Sequence, residues 1–207
     1  MKIIEAAIAP NPRRVRIFLA EKGIDNVSFE QRDLMAGDQK EPEFRELNPF
    51  QCVPVLMLDD GTAISESVAI CRYFEVSQPD PPLFGEGAIG QAMVEMWQRR
   101  AELGLFFHVT QVFRHLHPKM GRLEVPQIAA WGEANKEKAL ETLRILDNQL
   151  RKSRFVAGEA YSIADITALV AVDFMKPARI AIPGGLDGLE GLARWHAEVS
   201  ARPSAEA

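Results

Sequence analysis

The residues with chemical potential fall in a few short stretches. Ser65-Glu66-Ser67 places two hydroxyls around an acid just ahead of an apolar helical run. Such groups can cap the free N–H groups of a helix start and favour its dipole, or offer a hydroxyl and N–H groups to a bound anion. Asn11 precedes Pro12, with Arg13 and Arg14 following, so one amide donor and two cations share a helix start. Phe106, Phe107, His108, Gln111, Phe113, His115 and His117 gather near the end of a long helical stretch. A His-x-His pair without a third ligand is poor evidence for a metal site. The aromatic residues serve a core, with His108 and Gln111 as the candidates for lining a second-substrate site. Cys52 and Cys71 form no Cys-x-x-Cys and have no zinc-ligand spacing. Both are expected to be packed, Cys52 as a small buried residue and Cys71 on the apolar face of its helix.

These residues need elements to hold them. Lys2 to Ala9 predicts a strand, and Asn11-Pro12 predicts a helix start with Asn11 at the N-cap and Pro12 first in the helix. Val15, Ile17, Phe18 and Ala20 give that helix its apolar set, and Gly23 ends it. Val27 to Arg32 predicts a strand parallel to the first through a right-handed crossover. A short helix is expected around Glu43. Val53 to Leu58 is a strand, Asp59-Asp60-Gly61 a hairpin turn into Thr62-Ala63-Ile64, and a helix runs from Ser67 towards Gln78. Pro54 opens its strand where a ladder hydrogen bond would be lost, which points to a special role such as a cis bond.

Prolines 79, 81 and 82, with Gly85 and Gly87, mark a linker over 79–87. Residues 88–207 carry only helical signals: one long helix over Ala88–Phe113, another over Gln127–Ser153, and a third opened by Ser162-Ile163-Ala164-Asp165. That tetrapeptide is a capping box with Asp in place of Glu. The order βαβ-α-ββα over 1–78 is that of a thioredoxin-like domain. The fold class is therefore α/β followed by all-α.

Composition narrows the partners. A formal net charge of -5 with interspersed signs offers little counterion release, so nucleic acid is an unsuitable principal partner. The amino terminus is too short in apolar residues, and too charged at Glu5, for a signal peptide, and no stretch is long enough to span a membrane. Two unpaired cysteines suit a reducing cytoplasm.

Several stretches, in order, resemble the cytosolic glutathione S-transferase family, in particular bacterial theta- or nu-like members, and the resemblance covers almost the whole chain. They are Ala9-Pro10-Asn11-Pro12-Arg13-Arg14, Leu47-Asn48-Pro49 through Val53-Pro54-Val55-Leu56, Ile64-Ser65-Glu66-Ser67, Ser162-x-x-Asp165, and Ala201-Arg202-Pro203-Ser204. The resemblance implies a glutathione co-substrate, no metal, a small hydrophobic electrophile and a homodimer. Met93, Met96 and Trp97, which cannot all face one core, also favour the dimer. Ser67 would take the γ-glutamyl carboxylate and Glu66 the ammonium. Val53, ahead of a cis Pro54, would pair its backbone with the cysteinyl residue as an added strand.

Departures from the family pattern matter as much. Where serine- and cysteine-type members have their activating residue, this chain has Ala9. Asn11, two residues on, matches an asparagine that some bacterial members use near the sulfur, and it can act as thiolate donor, helix cap or both. Cys52 stands where theta-like members often have a lysine for the glycyl carboxylate. Gln39, at a position often histidine, and Lys40 are then the candidates for that end. The leading expectation is a transferase. A glutathione-dependent disulfide reductase, or a non-catalytic binding or regulatory member favoured by Ala9, are its competitors.

Overall fold

The computed structural model describes residues 1–207. It divides into two compact units, Met1–Pro82 with Glu206–Ala207, and Leu83–Ala205. The division falls inside the proline- and glycine-rich stretch 79–87.

In the first unit the chain runs β1 (Lys2–Glu5), α1 (Pro10–Glu21), β2 (Ser28–Gln31), a 3-10 turn (Asp38–Lys40) and α2 (Pro42–Leu47). It continues through β3 (Val55–Met57), β4 (Ala63–Ser65) and α3 (Ser67–Ser77). The sheet order is β2-β1-β3-β4, with β1 parallel to β2 and β3 antiparallel to both its neighbours. This is the thioredoxin-like arrangement. Successive residues Ile3 and Ile4 are both buried, so both faces of the sheet are covered. Ile4, Ala6, Val53 and Val55 form one core with Phe44 of α2, and α1 packs against α3.

β1 stops at Glu5, short of the expected Ala9. Glu5 is fully buried, and its carboxylate takes both Nε and Nη2 of Arg16 on α1 as well as Nε2 of Gln31 at 2.6 Å. The chain then turns, with the Ala9 N–H donating to the Ala6 carbonyl at 2.9 Å, and enters α1 at once. The N-cap is therefore Ala9, not Asn11, and Pro10 takes the first helical position, where its fixed φ and missing N–H fit. Asn11 becomes the second helical residue and turns its side chain to neighbours other than the helix start. Ala20 is exposed, and Leu19 joins the buried set instead.

The second unit is all-helical: α4 (Gly87–Arg99), a π-helical stretch (Arg100–Phe106), α5 (Phe107–Leu116), a 3-10 turn (Pro118–Arg122), α6 (Ala129–Leu150), α7 (Ile163–Phe174) and α8 (Glu190–Ser200). The single α-helix expected over 88–113 is thus interrupted. A cross-helix bond supports the wider turn: the Thr142 hydroxyl on α6 donates to the Gly104 carbonyl at 2.7 Å, taking an acceptor that helix geometry alone would leave to its own ladder. The extra residue re-aims everything after it, including His108 and Gln111. At Gly132 a Cβ would stand 2.5 Å from Leu116 Cγ, so a larger residue would have to displace that side chain where α6 approaches α5.

α7 is buried from Ile163 to Val172, the central helix of this unit. Its capping box forms as the sequence indicates. Asp165, fully buried, accepts from the Ser162 N–H at 3.0 Å, the Ser162 hydroxyl at 3.1 Å, the Val156 N–H at 2.8 Å and the Trp195 indole at 2.9 Å. One carboxylate therefore ties the start of α7 to the preceding loop and to α8. Burial lifts its pKa to about 6, against the opposing pull of those bonds.

Candidate functional site

The amino-terminal unit brings together two sequence segments that lie more than fifty residues apart. Ser67 begins α3 and is buried at 5% exposure. Its Oγ accepts from Arg14 Nη1 at 2.7 Å and approaches Asn11 Oδ1 at 3.4 Å, while Arg14 Nη1 also donates to Asn11 Oδ1 at 3.2 Å. The starts of α1 and α3 thereby share one hydrogen-bonded cluster. Neither Ser65 nor Ser67 caps α3: the N-cap is Glu66, whose side chain makes no capping bond. The N–H groups of the first turn of α3 are left for a ligand, next to the Ser67 hydroxyl.

Glu66 has φ 68° and ψ 113°, a left-handed setting that a non-glycine residue adopts only against a steric cost. Its side chain is exposed. The backbone is thus bent so that Glu66 faces outward while Ser67 turns in.

Ahead of β3 the Val53–Pro54 bond is cis. The fully buried Asn48 holds the approach, its Nδ2 donating to the Cys52 carbonyl at 2.8 Å and its Oδ1 accepting the Phe50 N–H at 3.0 Å. Sheet pairing starts only at Val55. No other backbone group bonds to the N–H or carbonyl of Val53, which therefore remain open to an extended peptide.

Ala9 contributes no side-chain donor. Pro10 and Pro12 also lack N–H groups, so among residues 10–12 only Asn11 keeps a backbone donor. Since Asn11 Oδ1 faces Arg14 and Ser67, its Nδ2 is the end turned away from them.

The glycyl-end candidates separate. Gln39 is buried at 8% exposure, with Nε2 directed at the Leu34 carbonyl at 3.4 Å, whereas Lys40 is exposed. Cys52 is exposed, contrary to the packed position expected, because the Asn48-anchored turn presents it outward; its thiol donates to the Phe50 carbonyl at 3.2 Å. Cys71 is fully buried on α3, and burial pushes its thiol far above the ordinary range, so it stays protonated and inert.

In the helical unit His108 Nδ1 lies 2.6 Å from Oδ1 of the fully buried Asn135, whose Nδ2 donates to the Trp131 carbonyl at 2.8 Å. With the Asn135 amide so oriented, His108 donates from Nδ1, and Nε2 is the ring nitrogen without that contact. Gln111 Oε1 accepts from the Trp131 indole at 3.0 Å, leaving its Nε2 to donate. Phe107 and Trp131 keep about two-fifths of their surface in solvent. His115 and His117 have structural tasks: each Nδ1 accepts a backbone N–H, from Ile128 at 3.1 Å and from Lys119 at 3.2 Å.

Arg14 is the site residue whose role the sequence least discloses. The doublet Arg13-Arg14 reads only as two cations at a helix start, and Arg14 is buried at 1% exposure. Position offers the available signal: it lies three residues after Asn11, on the same helix face.

Known proteins share this fold. Residues 8–77 match the model of the glutathione S-transferase N-terminal domain, and residues 129–203 that of the glutathione S-transferase C-terminal domain. Glutathione S-transferase 2 of Saccharomyces cerevisiae is 36% identical over 206 residues, covering 99% of this chain and 87% of the relative. The crystal structure of Gtt2 from Saccharomyces cerevisiae superposes with a TM-score of 0.94 at 36% identity, over 100% of this chain and 99% of that one. A glutathione S-transferase domain-containing protein of Marinobacter aquaeolei VT8 has the same TM-score at 41% identity, over 99% of both chains. The chain belongs to the glutathione S-transferase family.

Proposed function

We propose that this chain binds glutathione in its amino-terminal unit and uses the bound thiolate to attack small hydrophobic electrophiles. The observation that carries the reading is the cluster of Asn11, Arg14 and Ser67, which sets an anion-accepting helix start beside an amide donor. Ser67 and the first N–H groups of α3 take the γ-glutamyl carboxylate, and the outward Glu66 takes the ammonium. The open backbone of Val53 pairs with the cysteinyl residue, and Lys40 is the cation best exposed for the glycyl carboxylate, with Gln39 needing a side-chain rotation to assist.

The chemical step is displacement or addition. The sulfur forms a carbon–sulfur bond, and the electrophile's leaving group departs or its electron pair moves onto an adjacent acceptor. The enzyme's task is to keep the sulfur as thiolate, and each pKa unit of lowering stabilises the anion by about 1.4 kcal/mol. Asn11 performs it with its backbone N–H and Nδ2 at the positive end of α1. No hydroxyl or thiol does so, since the usual position is Ala9. His108 and Gln111, with Nε2 of each available, are the polar candidates for the electrophile in the helical unit.

The chain acts as a homodimer in this reading. Phe50 and Ile89 are exposed at 77% and 82%, large apolar side chains that a monomer gains nothing by presenting to water. The test is turnover of an activated aryl halide with glutathione, followed by the absorbance of the thioether. Glutathione-dependent product is expected at a modest rate. Glutathione binding without turnover of aryl halides or of low-molecular-weight disulfides would leave the binding-protein reading instead.

A further inference from the structure

Glu5 ends β1 at a fully buried position, where an apolar residue would pack without desolvating a charge. Its carboxylate accepts from Arg16 through Nη2 and, at 3.0 Å, Nε, and from Gln31 Nε2 at 2.6 Å. A buried ion pair is a weak source of stability, because desolvation offsets most of its attraction. What it supplies instead is a fixed geometry, and here that geometry continues past the pair. Gln31 stands in register beside Glu5 across β1 and β2, and its Oε1 accepts the Ala7 N–H at 3.0 Å. The network therefore holds the chain at two points, Ala7 ahead of α1 and Arg16 within it. Asn11 lies between them.

The backbone between those points is sparsely bonded. The Ala9 N–H donates to the Ala6 carbonyl at 2.9 Å and the Arg13 N–H to the Ala9 carbonyl at 3.3 Å, while Pro10 and Pro12 have no N–H to donate. Ala6 and Ala9 add small contacts to the core around Val53, and Ile8 faces solvent at 87% exposure. Arg14 and Ser67 orient the Asn11 side chain, but the place where its helix begins is set by the turn ahead of it.

We propose that Glu5, acting with Arg16 and Gln31, is a positioning residue for the reaction: it fixes the turn over 6–9 and the first turn of α1, so that the donors of Asn11 meet the glutathione sulfur. This rests on the reading that Asn11 holds the thiolate. A network serving stability alone would change how firmly the protein folds and leave the bound thiol as it is.

The experiment follows the ultraviolet absorbance of bound glutathione thiolate against pH, kcat and KM with an activated aryl halide, and urea unfolding. The proteins are wild type, Asn11→Ala, the Glu5→Leu, Arg16→Leu double variant, Gln31→Met, and the last two each combined with Asn11→Ala. Neither network replacement changes the net charge, so a response of the thiol reports geometry. The double variant should unfold at the same urea concentration as wild type or a higher one, since an apolar pair replaces buried charge. Its bound thiol should titrate about half a unit or more above the wild-type value. Its kcat should fall about fivefold or more, with KM for glutathione within about twofold. Gln31→Met keeps the ion pair, cuts the Ala7 tether and should shift the thiol and kcat less, in the same direction. In the Asn11→Ala background either replacement should change kcat by less than about twofold, because both act through that residue. An unchanged thiol and kcat in the double variant, or effects that multiply with Asn11→Ala, overturns the proposal. If the double variant does not fold, Gln31→Met, at an exposed position, carries the test, and an unchanged thiol and kcat there overturn it. A bound thiol that responds to Asn11→Ala but to neither network replacement refutes this inference alone. A bound thiol indifferent to Asn11→Ala, or no glutathione bound by wild type, overturns the underlying reading and this inference with it.

Discussion

Asp165→Asn probes the best-defined polar group in the helical unit. The native carboxylate has two oxygens, each accepting two of the donors from Ser162, Val156 and Trp195. An asparagine of the same shape has one oxygen. Placed towards Val156 and Trp195, it keeps those two bonds and turns its NH2 to Ser162, whose hydroxyl can rotate to accept. The Ser162 N–H then faces another donor and is stranded in a fully buried site, at a cost of about 1–3 kcal/mol. The cost should also depend on pH. The Asp165 pKa is about 6 against an ordinary 3.8, so folding takes up a proton between those values and the native protein gains stability as pH falls through 6. The full gain is about 3 kcal/mol below the unfolded value, of which about 1 kcal/mol arrives between about pH 7.5 and pH 5. Asparagine has no such proton. Urea unfolding followed by tryptophan fluorescence should therefore show the gap between wild type and Asp165→Asn widening on acidification. A variant costing well under 1 kcal/mol, or a gap that narrows towards pH 5, would refute this account of the network.

Other expectations concern separate parts of the molecule. Ser67→Ala should weaken glutathione binding by about 1–3 kcal/mol in calorimetry, and unchanged affinity would remove Ser67 from the site. Burial first, and then Arg179 and Lys119, hold His117 below its ordinary value of 6.5. The stability it contributes is thus present above 6.5 and lost as pH falls. Protonation ends the Nδ1 acceptance of the Lys119 N–H, so the hydrogen-exchange protection of that amide should hold at neutral pH and drop only as pH falls below 6.5; constant protection under acid would contradict this. Light scattering at micromolar protein should give about twice the chain mass of 23.1 kDa, and the single-chain mass would reject the dimer.

Local signals carried much of the fold. Val53-Pro54 marked a backbone special, Ser162 and Asp165 marked a capping box, and Gly23 marked a helix end, because each depends on a few adjacent residues. The start of α1 misled by two residues because Pro10 and Pro12 both suit a first turn, and the buried Glu5–Arg16 pair favours the earlier one. The π-helical stretch is bonded by a threonine 38 residues away, a contact that periodicity within one helix does not register. The burial of Arg14 against Ser67, 53 residues distant, is likewise a product of tertiary packing. Cys52 departs from the packed position common for free cysteines because the turn built by Asn48 turns it out.

The most direct test of a thiolate activated without a hydroxyl or thiol is the pKa of bound glutathione. The ultraviolet absorbance of its thiolate is followed against pH in wild type and in Asn11→Ala. Free thiols titrate near ~8.5, and the bound one in wild type should titrate at least about one unit lower. Asn11→Ala should recover roughly one unit or more of that shift and lower kcat/KM about tenfold, as the loss of a charge-assisted hydrogen bond requires. A bound thiol that titrates like the free one, or the same lowered value in both proteins, would contradict Asn11 as the activating residue.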